Sequence, residues 1–290
     1  MRGFSIEARA LAALLAGAAC IGFAPIFVRW IDVGYTAAAF WRVALALPPL
    51  ALAWKLWPPK GEQSFAPNRG LLLAGLFFAA DLGIWHQSVR YTSVANSTLL
   101  ANLAPIFVAF GAWFFFKERI APRFLAGLAL AVTGSILLVA HSFELSFAHV
   151  IGDVLGIVAA VFYAGYQLTV SRERRQSSSL AVMFWSALAC AAVLLPVVLA
   201  LGEPMLPQSP RGWAVLIGLA LVNQVAGQGL IIYGMAHLPA SFSSVSLLVQ
   251  PVAAALLAWL LLAEPFGAVQ ALGGAIVLAG IVICRLASRS

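Results

Sequence analysis

Ten uninterrupted apolar runs, each near the length of a membrane-crossing helix, follow one another along this 290-residue chain with only short polar breaks between them. A hydrocarbon core of roughly 30 Å needs about 20 apolar residues in helical form. The runs cover 8–30 (span 1), 36–57 (span 2), 70–90 (span 3), 94–116 (span 4), 122–140 (span 5), 149–171 (span 6), 180–202 (span 7), 212–236 (span 8), 241–263 (span 9) and 267–286 (span 10). Charged residues make up only 9% of the chain, too few to clothe a water-soluble domain of this size. Membrane strands would appear as segments of about 10 residues alternating apolar and polar, whereas these runs are continuous and rich in Ala and Leu. The expected fold is all-α: a polytopic integral membrane protein of ten transmembrane helices.

The first run opens like a secretory leader, and "AGAAC" has the look of a lipoprotein cleavage box. Apolar residues continue past Cys20 to Val28, and Gly17 stands where a large aliphatic is required, so an uncleaved first span is expected. The net charge of +7 sits in the connections between spans rather than in a patch interleaved with aromatics, which argues against a nucleic-acid partner. With the N-terminus inside, thirteen bases, from Arg2 and Arg9 through Lys60 and Lys117 to Arg285 and Arg289, fall on the inner side. Only Arg29, Arg90 and Arg211 fall outside, and Arg42 lies within a span. This asymmetry predicts cytoplasmic termini in a multi-pass protein of a bacterial-type inner membrane.

The chain also repeats itself. At a constant offset of 146, Ser97 matches Ser243, Pro105 matches Pro251, Trp113 matches Trp259, Glu118 matches Glu264, Gly127 matches Gly273 and Gly134 matches Gly280. "FW" at Phe40–Trp41 returns at Phe184–Trp185. A tandem duplication of a five-span unit is expected, with repeats at 1–146 and 147–290. Five is odd, so the second unit enters the membrane from the opposite side, as inverted-repeat transporters do. The first glutamate is flanked by Lys117, Arg119 and Arg123 and the second by Ala263, Pro265 and Val269, because bases mark a side while the glutamate serves packing or capping in both copies.

Pro, then Trp eight later, Glu five after that, Gly nine further and Gly seven beyond, in both halves, resembles the EamA-domain family of the drug/metabolite transporter superfamily, ten-helix type. "FWRVALALPPLALA" on span 2 is similar to that family's Arg-bearing second helix. The likeness covers essentially the whole chain and is closest to exporters of amino acids and related metabolites, YddG-like ones among them. It implies a membrane carrier whose spans 5 and 10 support the bundle from its periphery.

Ionisable groups inside a bilayer are costly, and here they are Arg42, Asp81 and His86. Arg42 is long enough to reach Asp81, so the two read either as a structural ion pair or as a substrate-ammonium or proton site tuned by the arginine. His86 reads as a hydrogen-bonded helix residue or a proton relay. Polar and aromatic residues fall on helical stripes: Asp81, Trp85 and Ser88; Thr98, Asn102 and Pro105; Tyr163, Tyr166 and Gln167; Gln224 and Gln228; Ser243, Ser246 and Gln250. Such faces turn inward. Together with Ser244 they are the candidate lining of a midplane cavity suited to neutral or zwitterionic solutes, the alternative for each being interhelical glue. Trp30, Trp57 and Trp213 read as interface anchors.

The glycine pairs put small residues seven apart on one face of spans 5 and 10, for close helix approach. Pro105 and Pro251 interrupt their spans, and the tight "VRYTSVANS" and "MAHLPASFS" connections read as paired gates or as ordinary turns. There is no P-loop for ATP, no Gly-x-Ser-x-Gly, and no metal spacing among His86, His141, His149 and His237. Cys20, Cys190 and Cys284 form no framework. No cofactor is expected and the chain is not expected to be an enzyme. The expected function is secondary transport, as an exporter of small amphipathic metabolites such as amino acids; the alternatives are a multidrug or cationic-compound exporter and a non-transport membrane protein such as an intramembrane enzyme. The partners are the bilayer and a small-molecule substrate, with monomer or homodimer left open. Small multidrug relatives use a glutamate within span 1, where this chain has only Glu7 at the edge, so coupling would fall to Asp81 or efflux would be facilitated.

Overall fold

A computed structural model describes residues 5–58, 66–139, 149–264 and 266–288. The expected repeat boundary at 146/147 lies outside the described residues, as do Arg2, Lys60, His141, Pro265 and Arg289. Every regular element among the described residues is helical. Among the described residues nine helices are long and apolar enough to cross a membrane: Ile6–Trp30 (span 1), Tyr35–Leu56 (2), Arg69–Tyr91 (3), Asn96–Phe116 (4), Val150–Glu173 (6), Ser179–Leu201 (7), Pro210–Met235 (8), Ala240–Leu262 (9) and Ala268–Ala287 (10). Span 5 is the shorter apolar helix Pro122–Leu138. Large apolar side chains face outward as well as inward: Phe115 (69%) and Leu260 (65%) are exposed, while Gln224 and Ser243 are fully buried. Lipid offers hydrocarbon side chains a home and polar ones none, so the polar groups turn to the bundle interior.

The spans start sharply because polar side chains take the free amides of the first turn. Ser5 accepts from Ala8 N, Asn68 from Leu71 N, Ser178 from Ala181 N and Ser209 from Gly212 N, at 2.8–3.2 Å. Span 2 borrows its cap from elsewhere in the chain: the Glu203 carboxylate, between spans 7 and 8, accepts from Thr36 N at 2.8 Å and Ala37 N at 3.1 Å. Span 9 is capped by Glu118 through Ala240 N at 2.9 Å. Span 9 has 23 residues, about 34 Å of helix at 1.5 Å per residue. Glu118, at its start, and Glu264, beyond its end, are therefore on opposite faces. The face that carries both chain ends is called here the terminal face and the other the distal face.

Spans 5 and 10 meet along the repeated glycines. A methyl group at Gly127 would stand 2.9 Å from the Gly280 carbonyl, and one at Gly134 would stand 2.7 Å from the Gly273 carbonyl. Gly280 is the counterpart of Gly134, and Gly273 of Gly127. The contact is therefore self-complementary: exchanging the halves maps it onto itself, with the helices antiparallel.

Four spans are broken inside the membrane: span 1 at Gly22–Phe23, span 2 at Leu45–Ala46, span 4 at Asn102–Leu103 and span 9 at Leu247–Leu248. At each break the chain tightens into an i→i−3 turn, and the helix resumes with a proline in its first three residues: Pro25, Pro48, Pro105 and Pro251. Proline suits that position because its missing amide would go unused there, but it frees the carbonyl four residues earlier. Only Pro105 and Pro251 were expected to interrupt their spans. Span 8 departs differently, running as π-helix from Leu219 to Gln228.

Replacing Gly134 by alanine drives a methyl to 2.6 Å from the Val277 amide nitrogen, whereas at Gly83 the nearest atom is a flexible Leu194 methyl 3.4 Å away. Gly134→Ala is expected to lower the thermal unfolding transition in detergent, by about 1–3 kcal/mol. Gly83→Ala should stay within about 0.5 kcal/mol of the parent.

Candidate functional site

The breaks of spans 1, 4 and 9 and the end of the π segment converge on one cavity of about 90 Å³. That is several times the ~10–15 Å³ that accommodates one ordered water, so the space is wettable. Its wall contains Ile21, Gly22 and Pro25 of span 1; Arg42 of span 2; Phe78, Asp81, Leu82 and Trp85 of span 3; and Thr98 and Asn102 of span 4. Tyr163 of span 6, Gln228 of span 8 and Gln250 and Ala254 of span 9 join them, with Ala24 and Ala101 filling the remainder. Arg42 lies seven residues from the distal start of span 2 and Asp81 ten from the distal end of span 3, roughly 10 and 15 Å deep.

The polar groups around the cavity are held by the irregular backbone. Pro25 frees the Ile21 carbonyl, and the Asn223 side-chain amide donates to it at 3.1 Å and to Cys20 O at 3.0 Å. One turn of the π segment thus repairs the break in span 1. The next residue, Gln224, accepts from Arg42 Nε at 3.2 Å, and Gln228, four further on, faces the cavity. π-Helical turns recur at functional sites because they re-aim side chains in this way. In span 4 the Asn102 amide donates to Thr98 O at 2.9 Å across the break.

The expected reach of Arg42 to Asp81 is not made. No ion pair or hydrogen bond joins the two; Arg42 turns to Gln224 and lies over the Phe78 ring, 5.6 Å from its centroid. The Asp81 carboxylate faces the cavity without a protein partner. A buried acid and a buried base thus share one space without direct contact, near enough for each to feel the other's charge. His86 is a helix-bonded residue, its Nδ1 2.7 Å from the Leu82 carbonyl and its ring against Trp85.

Of the residues on the inward stripes, Asp81, Trp85, Thr98, Asn102, Tyr163, Gln228 and Gln250 come together with Arg42 in the wall. Tyr166, Gln167, Gln224, Ser243, Ser244 and Ser246 do not. Gln224 stands behind Arg42, Tyr166 stacks on Phe78 at 4.6 Å, Ser246 donates to Phe242 O, and Gln167, Ser243 and Ser244 are packed toward the terminal face. A helical stripe is wider than a cavity, so it predicts the inward face without its depth. The contribution of span 1 was missed, although "APIFV" occurs at both 24–28 and 104–108, each time restarting a broken helix.

The cavity adjoins a second one on its distal side. A vestibule of about 120 Å³ shares Pro25, Thr98 and Ala254 with it and leads past Val94 and Ala258 to Arg29, Glu264 and Gln270 at the distal face. Toward the terminal face the Phe78–Tyr166 stack and the packed cluster of Ala104, Val108, Ala160, Ala164 and Ala240 close it. Among the described residues no cluster of His, Cys, Asp or Glu is placed to hold a metal ion.

A helical membrane bundle with broken spans around an internal cavity of mostly apolar wall and a few converging polar groups has the architecture of a solute transporter. The chain belongs to the EamA-like transporter family, whose model matches it twice, over residues 8–140 and 150–286. An uncharacterized transporter of Archaeoglobus fulgidus is 26% identical over 94% of each chain. The pseudopaline exporter CntI of Pseudomonas aeruginosa is 26% identical over 76% of this chain and 75% of its own. Human solute carrier family 35 member G1 is 27% identical over 56% of this chain and 46% of its own. A solved crystal structure, 17% identical, superimposes with a TM-score of 0.83 over 97% of each chain and shares the fold. As a member of that transporter family the chain is a multi-pass membrane transporter and not an enzyme.

Replacing Asn223 by leucine takes the side-chain donor from the Ile21 carbonyl, while Cys20 O keeps the Phe23 amide at 3.2 Å. Thermal unfolding in detergent should show a loss of about 1–3 kcal/mol. An unchanged transition would mean that the break in span 1 does not depend on this amide.

Proposed function

We propose that the chain is a secondary transporter that exports small amphipathic metabolites, amino acids and aromatic ones among them, by exposing the cavity alternately to the two faces. The observation that carries this reading is the separation of Arg42 from Asp81 across one wettable space. Each buried charge is expensive while unpaired, and a ligand bearing both a carboxylate and an ammonium satisfies both at once. Trp85 and Tyr163 in the same wall supply flat apolar surface for a ring. Cavity residues from both halves of the chain support the reading of two inverted five-span repeats around a shared site.

The excess of bases on the terminal face supports cytoplasmic termini in an inner membrane, which turns the vestibule to the outside. The sealed half carries polar groups suited to a second, wetted conformation: both ends of the Gln167 amide and the hydroxyls of Ser243 and Ser244 are buried without a protein partner. Such groups cost about 1–3 kcal/mol each where they stay dry. The Pseudomonas relative is named as a pseudopaline exporter, which supports export over uptake.

Counterflow of labelled amino acids into proteoliposomes tests the proposal. Uptake above empty vesicles is expected, with competition by free amino acids but not by their N-acetyl or methyl-ester forms. Asp81→Asn and Arg42→Gln should each weaken apparent affinity about tenfold or more, since a hydrogen bond to a charged group contributes roughly 1.5–3 kcal/mol. Trp85→Ala should penalise aromatic over aliphatic substrates. Equal competition by free and blocked amino acids would sink the zwitterion reading.

A further inference from the structure

Glu118 and Glu264 leave the backbone in the same way. Each follows a residue in the left-handed region, Lys117 at φ 57° and Ala263 at φ 54°, the two non-glycine residues of positive φ among those described. Each sends its own amide back six residues, to Ala112 O at 3.1 Å and Ala258 O at 3.3 Å. That conformation is disfavoured for any side chain, and a strained turn kept in both halves points to a function for what it aims.

The two carboxylates have different partners. Glu118 caps span 9 at the sealed terminal face, accepting from Ala240 N at 2.9 Å, Ser241 N at 3.3 Å and Ser241 Oγ at 2.5 Å. Glu264, at the open distal face, pairs instead with Arg29 at the end of span 1. Moving the Glu118 partners back by 146 gives Val94 and residue 95, in the first turn of span 4. Val94, Arg29 and Glu264 all line the vestibule. Span 4 is tied at this end by Ser93 Oγ, which accepts from Asn96 N at 3.0 Å, and by Asp153, which accepts from the Thr92 hydroxyl at 2.8 Å. Neither contact occupies the Val94 amide.

We propose that Glu118 and Glu264 are reciprocal latches: Glu118 holds the terminal face shut by capping span 9, and Glu264 shuts the distal face by leaving Arg29 to cap span 4. The inference rests on the transport reading, in which both faces open in turn. A carboxylate at a helix amino terminus is favourable through the amides and the helix dipole, so each closed face gains the same kind of contact as the other loses. Arg29 then serves as a resting place. Its ion pair is more than 40% exposed on both sides, and such pairs are weak enough to be exchanged.

The test measures access in the absence of any substrate, so it stands apart from the substrate assay above. Ser244→Cys reports the terminal side and Thr98→Cys the vestibule, each labelled by an impermeant maleimide in inside-out or right-side-out vesicles, with the labelling of the parent chain subtracted. Glu264→Ala should hold the distal face open, leaving Thr98→Cys reactive and Ser244→Cys protected. Arg29→Ala, which breaks the same ion pair, should act in the opposite direction by freeing Glu264 to cap span 4. Glu118→Ala should raise Ser244→Cys labelling about tenfold or more. Opposite responses to Arg29→Ala and Glu264→Ala support the latch, and these two exposed positions serve even where Glu118→Ala fails to fold. Shifts in the same direction, or none, overturn it.

Discussion

A backbone amide or carbonyl inside hydrocarbon must find a partner within the protein or at a wet surface, and four breaks in mid-membrane strain that requirement most. The remedy shapes the centre of this molecule. Each break tightens to a short turn, the helix resumes at a proline, and a carbonyl is released four residues before it. At span 1 the released carbonyl is taken by Asn223, which can reach it because span 8 is wound as a π-helix there. The same turn directs Gln224 to Arg42 and Gln228 to the cavity. Repairing the backbone and furnishing the cavity wall are one arrangement.

That arrangement also explains how the cavity tolerates charge. Arg42 is held by an amide and an aromatic face rather than by a carboxylate, which leaves the guanidinium positioned but not neutralised. Asp81 is held by its place on span 3 alone. Had the pair closed on itself, the cavity would present an internally satisfied salt bridge with little to offer a ligand. The hydrophobic walls, from Ile21 through Phe78 and Leu82 to Ala254, keep the surrounding medium poorly screening, so each group stays responsive to what enters.

Much of the fold was legible in the sequence because hydrocarbon thickness imposes a length on every span and the residues recurring at an offset of 146 point to one another. The glycines at 127, 134, 273 and 280 could be read as a close-packing face, and the structure shows them packed against one another. Pro105 and Pro251 could be read as interruptions, while Pro25 and Pro48 passed unnoticed since their counterparts, Ser171 and Ala192, are not prolines. The π stretch has no composition of its own to betray it. Depth was the other blind spot: Ser243 and Gln250 share a helix, yet the first is packed in the closed half and the second borders the cavity. The direction Arg42 takes depends on Gln224, 182 residues away, which no local pattern contains.

The seam between spans 5 and 10 has a consequence of a different order. The glycine contacts in it, 127 to 280 and 134 to 273, interchange when each glycine is replaced by its counterpart 146 residues away, and at each an added methyl would meet backbone. In the proposed transport cycle a seam of that kind weighs nearly alike on states open to either face, so it can be as tight as packing allows. It is a fulcrum for that proposal: a place where stability can be concentrated with little preference for either side of the membrane.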